Sequence, residues 1–179
     1  GTTESLIAQL KNLGLKMVQL PYNTPPEEIL KLNLSGLIIS GSVEDDPILE
    51  DIALAIKNLI GKIPILGIAV GSQLIAKSLG AKIKKMHLGH HGVNYPIKYP
   101  SSFKDDITVQ NHSWVVDLPS LEKIKAVGVT ARHLNDGTVE GFESKKCKII
   151  AVQYYPVSPG FDEVNSVLTK FLQLIKGKN

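Results

Sequence analysis

The segment Gly67-Ile68-Ala69-Val70-Gly71 has the residue spacing of a turn that presents a nucleophile. A strand that turns sharply into a helix needs small residues on either side of its centre, because larger side chains would collide there. The central side chain then projects above the sheet at the helix N-terminus, where the helix dipole favours a thiolate. The central residue here is Ala69, whose methyl group cannot attack an amide carbon. By itself, the spacing is explained about equally well by a turn that presents a nucleophile and by an ordinary tight connection between a strand and a helix.

Two other side chains near or beyond this turn could act as nucleophiles. Ser72 lies in the first helical turn, three positions after Ala69, where a polar residue ordinarily serves the helix start. Cys147 is the single cysteine, and the lysines on both sides of it favour a thiolate. Its position at the predicted start of a strand, far from Ala69, favours a structural role. We therefore assign neither residue as a nucleophile.

The histidines and the acidic residues do not form a pattern typical of a metal centre. His90 and His91 are adjacent, so a strand would place them on opposite faces, and no Cys/His pair has ligand spacing. His112 is predicted to be a structural histidine. The acidic residues 44–46 are interpreted as a solvated surface loop. The sequence therefore predicts no metal and no cofactor.

The elements around Ala69 alternate between helical and strand patterns, which is typical of parallel β-α-β units. Helices are predicted over residues 5–13, from 25, over 48–60 and over 70–79, and strands over 15–20, 36–40 and 63–68. After Gly80 the pattern changes to short strands and turns, and a helix over 163–176 follows. We predict an α/β fold with a doubly wound, mostly parallel sheet, helices on both faces and an antiparallel extension. Its usual first, central strand would precede Gly1.

Composition limits the class of protein. The 179 residues, 43% of them hydrophobic, suit one globular domain over 1–179. The net charge of +3 is scattered and forms no basic stripe, so nucleic acid is not an expected partner. No apolar run approaches the roughly 18 residues of a membrane span. One cysteine indicates a reducing compartment, so a cytoplasmic location is expected, with a mitochondrial one as the alternative.

Four motifs carry a resemblance to a known family. Gly67, Ile68, Gly71 and Gln73 match a Gly-Ile-Cys-x-Gly-x-Gln motif in which only the cysteine is replaced. Residues 88–98 resemble a Gly-His-His-Gly-x-Asn-x-Pro segment, residues 110–112 match Gln-Asn-His, and residues 136–141 match a strand-turn that follows it. Together they resemble class I glutamine amidotransferases of the carbamoyl-phosphate synthetase small-subunit type. The resemblance covers essentially the whole chain and implies a flavodoxin-like fold.

In that family a cysteine thiolate attacks the side-chain amide of glutamine, a histidine acts as its base, and a glutamate orients the histidine. The resemblance aligns these three positions with Ala69, Tyr155 and Val157. A tyrosine hydroxyl does not ordinarily serve as a base at neutral pH, and valine has no acceptor group. The resemblance therefore implies a catalytic triad in which no member is intact.

The resemblance also implies a partly retained substrate site. Gln73 and Asn111 match glutamine-binding positions, while a glycine expected after His112 is Ser113. The oxyanion loop resembles residues 40–47, so Gly41 and the N–H group of Val70 are the remaining candidates there. Val43 replaces a glycine of this loop, and the added acidic residues lengthen it.

These observations favour a catalytically degenerate amidotransferase domain. Its expected role is structural or regulatory, beside the large subunit or synthetase domain of an ammonia-dependent carbamoyl-phosphate synthetase. The alternatives are a weakly active glutaminase that supplies ammonia for carbamoyl phosphate synthesis, and a sensor that binds glutamine without hydrolysing it. The family's small subunit has a further N-terminal domain, so the chain is expected to be a fragment or a reduced form.

Overall fold

The computed structural model describes residues 2–100, 102, 105–160 and 163–177. Within these residues one sheet contains the strands β1 (Leu37–Ile39), β2 (Ile65–Ile68), β3 (Ile83–Lys98), β4 (Asp105–Val116), β5 (Gly128–His133), β6 (Val139–Ser144) and β7 (Ile149–Val152). Their order across the sheet is β1-β2-β7-β6-β5-β3-β4. β1, β2 and β7 are parallel, and the pairings from β7 to β4 are antiparallel. The predicted α/β class with an antiparallel extension is confirmed, and the extension contains more of the described strands than the parallel part.

Helices cover both faces of the parallel strands, as predicted. They are α1 (Glu4–Asn12), α2 (Pro26–Lys31), α3 (Ile48–Lys57), α4 (Val70–Ser78), α5 (Leu118–Glu122) and α6 (Ser166–Ile175). Alternate strand residues enter two hydrophobic clusters: Ile65 packs with α3 and α4, whereas Leu66 and Ile68 pack with α1 and α6. This division follows from the two-residue period of a strand, and it explains why β2 is apolar without interruption.

Local signals account for most helix boundaries. Pro26 begins α2, where a proline loses no helical hydrogen bond. The Thr3 side chain accepts a hydrogen bond from Leu6 N at the start of α1. Asn165 caps α6 in the same way through Val167 N, so this helix begins at Ser166 rather than at residue 163 as predicted.

Two predictions about strands are wrong. Residues 15–20 form no strand, because β1 is the edge of the described sheet and this largely exposed segment has no strand beside it. The strands after Gly80 are not all short, since β3 has 16 residues and β4 has 12. The β3–β4 pairing changes register between Lys85 and His90, so these strands are bent by irregularities. Within the described residues, no helix is both long enough and apolar enough to cross a membrane.

Candidate functional site

Ala69 occupies a strained turn between β2 and α4. Its φ of 53° and ψ of −119° lie in a region that residues with a side chain rarely adopt, at a typical cost of about 1–3 kcal/mol. The backbone is held there because Ala69 N donates to Val152 O of β7 over 2.9 Å, and α4 begins at the next residue. The side chain is buried, with 2% of its surface exposed.

The two glycines on either side of Ala69 are required by packing. A Cβ atom on Gly71 would lie 1.9 Å from Ile39 O of β1, and one on Gly67 would lie 2.5 Å from Ile75 Cδ1 and 2.8 Å from Gly71 O. These distances are far shorter than van der Waals contacts. The glycines therefore allow α4 to pack directly on β1 and β2 at the carboxyl ends of the parallel strands, which is where α/β sheets bind ligands.

The structure brings Tyr155 and Gly41 to Ala69. A Cβ built on Gly41 would be 3.2 Å from the Tyr155 hydroxyl oxygen and 3.6 Å from Ala69 Cβ. Tyr155 N donates to Val109 O of β4 over 3.0 Å, which positions the ring at this end of the sheet. Val157 follows a tight turn in which its N–H donates to Tyr155 O, and its side chain is 39% exposed.

Gln73 and Ser113 converge on a residue that the sequence interpretation assigned to solvated surface. The Glu44 carboxylate accepts hydrogen bonds from Gln73 Nε2 over 2.9 Å, from Ser113 N over 2.6 Å and from Trp114 N over 3.3 Å. Gln73 Nε2 also donates to Trp114 O over 2.9 Å and contacts Gln153 Oε1 at 3.2 Å. The interpretation of Glu44 as a solvated loop residue is therefore wrong.

The remaining candidate residues have separate positions. Asn111 is exposed on β4, and its Oδ1 is 2.7 Å from His91 Nδ1. Val70 is buried in the cluster that contains α3 and α4. Ser72 is buried and donates from Oγ to Ala69 O over 2.7 Å, at the start of the helix. Cys147 precedes β7 and therefore lies at the opposite end of this strand from Ala69.

A second polar cluster, which sequence spacing did not reveal, links β3, β4 and β5. His90 Nδ1 lies 2.8 Å from Gln110 Oε1, and His90 Nε2 lies 2.9 Å from Asp136 Oδ2. His112 Nε2 is 2.9 Å from Gln110 Oε1. The ring of His133 stacks on His90 with centroids 4.2 Å apart, and its Nε2 is buried without a partner among the described residues. Only strand pairing brings these histidines together.

Burial and hydrogen bonding shift the pKa values of the three histidines in this cluster in different directions. Burial opposes a charge on His90, but hydrogen bonds to Glu140 and Asp136 outweigh it and raise the pKa of His90 above 6.5. Burial, followed by the charge of His90, lowers the pKa of His112 to about 4. The same two causes lower the pKa of His133. These surroundings favour the charged form of His90 and the neutral forms of His112 and His133.

Two groups of side chains bring ligand atoms within 4.8 Å of one another: His90 with His112 and Glu140, and His90 with His133 and Asp136. Gln110 Oε1 already contacts both sets of ring atoms, at 2.8 Å from a ring nitrogen of His90 and 2.9 Å from one of His112. The rings of His90 and His133 are 30° from parallel, so their in-plane lone pairs do not converge well. The described residues thus fit a hydrogen-bonded cluster better than a metal centre, and the absence of a metal remains a prediction.

Two cavities within the described residues lie away from Ala69. One cavity of about 810 Å³ is lined by Lys98, Tyr99, Arg132 and neighbouring residues, and one of about 330 Å³ lies between α3 and α4. Neither includes Ala69, Tyr155 or Gln73. Beside this turn, N–H groups of Gln73, Ser113 and Trp114 donate to the Glu44 carboxylate. Ala69 itself has no nucleophilic atom.

Comparison with known proteins agrees with this architecture. The family model described as glutamine amidotransferase class-I matches residues 1–174. The carbamoyl phosphate synthase small chain of Staphylococcus haemolyticus is 38% identical over 177 residues, which are 98% of this chain and 48% of that protein. The small chain of Staphylococcus epidermidis is 39% identical over 178 residues, with the same shares. The chain therefore spans about half the length of the curated relatives it matches.

Solved structures share the fold at low sequence identity. A Thermoplasma acidophilum protein assigned to GMP synthase has a TM-score of 0.76 and 21% identity, with 94% of this chain and 85% of that chain covered. A glutamine amidotransferase of Thermotoga maritima has a TM-score of 0.57 and 21% identity, with 94% and 69% covered. These similarities concern the fold alone.

Proposed function

Because the chain belongs to the class I glutamine amidotransferase family, we propose that it is a catalytically degenerate amidotransferase domain of a carbamoyl phosphate synthase. Its role in this proposal is structural or regulatory. The observation that carries the proposal is Ala69, which stands at the centre of a strained strand-to-helix turn between two sterically required glycines, and we interpret this turn as a nucleophile elbow. The strained backbone is present, but the side chain is a methyl group.

The surroundings of Ala69 support the absence of hydrolysis. An acyl transfer of this type needs a nucleophile, a base and a group that orients the base. Tyr155, at one aligned position, packs against the cluster that contains Ala69, and Val157, at the other, carries no polar side-chain atom. Ser72 Oγ donates to Ala69 O at the helix start, so the hydroxyl has a structural partner. No group described around the turn replaces the missing thiolate.

We propose a carbamoyl phosphate synthase large subunit, or an equivalent synthetase domain, as the partner. The relatives at 38 and 39% identity are named small chains of this enzyme. In this proposal the synthetase uses free ammonia, and the domain supports or regulates it without delivering a substrate. A cytoplasmic site of action, inferred from the single cysteine, is part of the same proposal.

Ammonia release from L-glutamine tests the proposal. The purified chain is assayed alone and with an added carbamoyl phosphate synthase large subunit, and the small chain of Staphylococcus haemolyticus serves as a comparison protein. We expect no release above a boiled control in either condition. Co-elution of the chain with the large subunit in size-exclusion chromatography would support the structural role.

Release of ammonia would instead favour a weakly active glutaminase. The variants Ser72→Ala and Cys147→Ser then identify the nucleophile, because each removes one of the remaining candidate side chains. Loss of release in one variant alone would refute the proposed absence of a nucleophile. Release that both variants retain would refute it as well and would point to a group outside these two.

A further inference from the structure

The Glu44 side chain is bound like a ligand by groups from two other elements. Its Oε2 accepts from Ser113 N over 2.6 Å, and its Oε1 accepts from Gln73 Nε2 over 2.9 Å and from Trp114 N over 3.3 Å. Gln73 belongs to α4, and the two amides belong to β4, 69 and 70 residues away from Glu44. Three N–H groups therefore meet both oxygens of one carboxylate, which is a charge-assisted arrangement.

The two amides of β4 converge because the strand is irregular at this point. In a regular strand, successive N–H groups point to opposite edges and cannot reach the same acceptor. The β3–β4 register shifts between Lys85, which pairs with Trp114, and His90, which pairs with His112. Ser113 lies within this irregularity. The backbone N–H groups of Ser113 and Trp114 therefore both donate to Glu44 instead of to β3.

This carboxylate site lies beside the turn at Ala69. Gln73 is one helical turn along α4, and its N–H donates to Ala69 O over 3.4 Å. The loop that carries Glu44 leaves β1 through Gly41, which faces Ala69 and Tyr155. Asp46 Oδ1 accepts from Ile48 N and so ties the far end of the loop to α3. Both ends of the loop are held, and Glu44 extends across the space between α4 and β4.

We propose that Glu44 is an internal ligand that occupies this carboxylate site and excludes free amino acids from it. A free carboxylate would need the same three donors and would meet the negative charge of Glu44. A group attached through a short segment acts at an effective concentration on the order of millimolar, so a free amino acid well below that concentration does not displace it. The proposal deepens the proposed function, since the domain then has neither a nucleophile nor an open carboxylate site.

Titration with L-glutamine and L-glutamate tests the role of Glu44. The amide signals of Ser113 and Trp114 are followed by ¹H–¹⁵N NMR in the natural chain, in E44A and in E44Q. Asp45→Asn is the matched control, because it removes one negative charge from the same loop at an exposed residue whose φ of 64° asparagine tolerates. We expect no saturable shift in the natural chain or in Asp45→Asn.

In E44A we expect saturable shifts of both amides, with an apparent affinity at least about tenfold above that of the natural chain. E44Q retains only one acceptor oxygen, so it should give a smaller gain and provides a test if E44A does not fold. Equal binding by the natural chain and E44A would overturn the proposal, as would the absence of binding by both folded variants. Ammonia release by the natural chain would refute the proposed function, whereas the role of Glu44 is decided by these titrations alone.

Discussion

Acidification should destabilise the protein through His112, which is 2% exposed. Burial and the neighbouring charge of His90 lower the pKa of His112 to about 4 in the folded chain, against 6.5 for a free histidine. Between these values the unfolded chain binds a proton that the folded chain does not bind. The free energy of unfolding therefore falls as the pH decreases from 6.5 towards 4.

The size of the effect follows from the two pKa values. Their full difference corresponds to about 3 kcal/mol, because one pH unit is worth about 1.4 kcal/mol. At about pH 5 the loss relative to about pH 7.5 is about 2 kcal/mol from His112 alone. His90 acts in the opposite direction, since its raised pKa provides stability that is complete below 6.5 and is lost as the pH rises through its folded value.

The variant His112→Asn isolates this contribution. Asparagine can still donate to Trp114 O, which lies 3.1 Å from His112 Nδ1, but it does not titrate. We expect His112→Asn to be less stable than the natural chain at about pH 7.5, by about 1–3 kcal/mol, because the smaller side chain leaves buried volume unfilled. This stability difference should then shrink by about 2 kcal/mol at about pH 5.

Urea denaturation at the two pH values measures the difference. His87→Asn is the control, because it makes the same substitution at an exposed histidine of β3. If the difference between the natural chain and His112→Asn stays constant within about 0.5 kcal/mol, His112 is not the neutral buried group inferred from its surroundings.

Three further predictions concern the turn and its support. Gly71→Ala should lower the free energy of unfolding in urea by about 3 kcal/mol or more, because the added Cβ would lie 1.9 Å from Ile39 O. In the control Gly128→Ala the added Cβ would have no atom within 4 Å, so stability should change by less than about 1 kcal/mol. Similar values for both variants would contradict the packing argument. Gln9→Leu should cost about 2 kcal/mol or more, because Gln9 donates to Pro156 O over 2.9 Å and accepts from Asn165 N over 2.8 Å, and an unchanged melting temperature relative to the exposed Lys11→Leu control would count against it. Ala69→Cys alone should release no ammonia from glutamine, because the aligned position of the base holds Tyr155 instead of a histidine, and measurable release would show that another group activates the thiol.

The sequence alone was sufficient for the features that depend on residue identity and local spacing. The glycines at 67 and 71 predicted a tight strand-to-helix turn, and their packing against Ile39 and Ile75 explains the requirement. The absence of a nucleophilic atom at Ala69 follows from the sequence in any fold. The apolar run over residues 63–68 predicted a strand, and β2 is buried on both faces in the fold because each face of a covered parallel sheet needs apolar side chains.

The tertiary structure decided which distant residues meet. Residues 15–20 have a strand-like composition, yet no neighbouring strand is available to pair with them. His90, His112 and His133 form one cluster only because β3 pairs with both β4 and β5. Such contacts depend on strand order and register, which local composition does not encode.

Glu44 is the clearest example of this limit. In the sequence it is one of three acidic residues in a loop, a pattern typical of solvated surface. In the fold it meets two amides of β4 that an irregular register directs towards it, and a side chain of α4. Residue identity therefore determined that Ala69 cannot act as a nucleophile, whereas the pairing of β3 with β4 determined what occupies the site beside it.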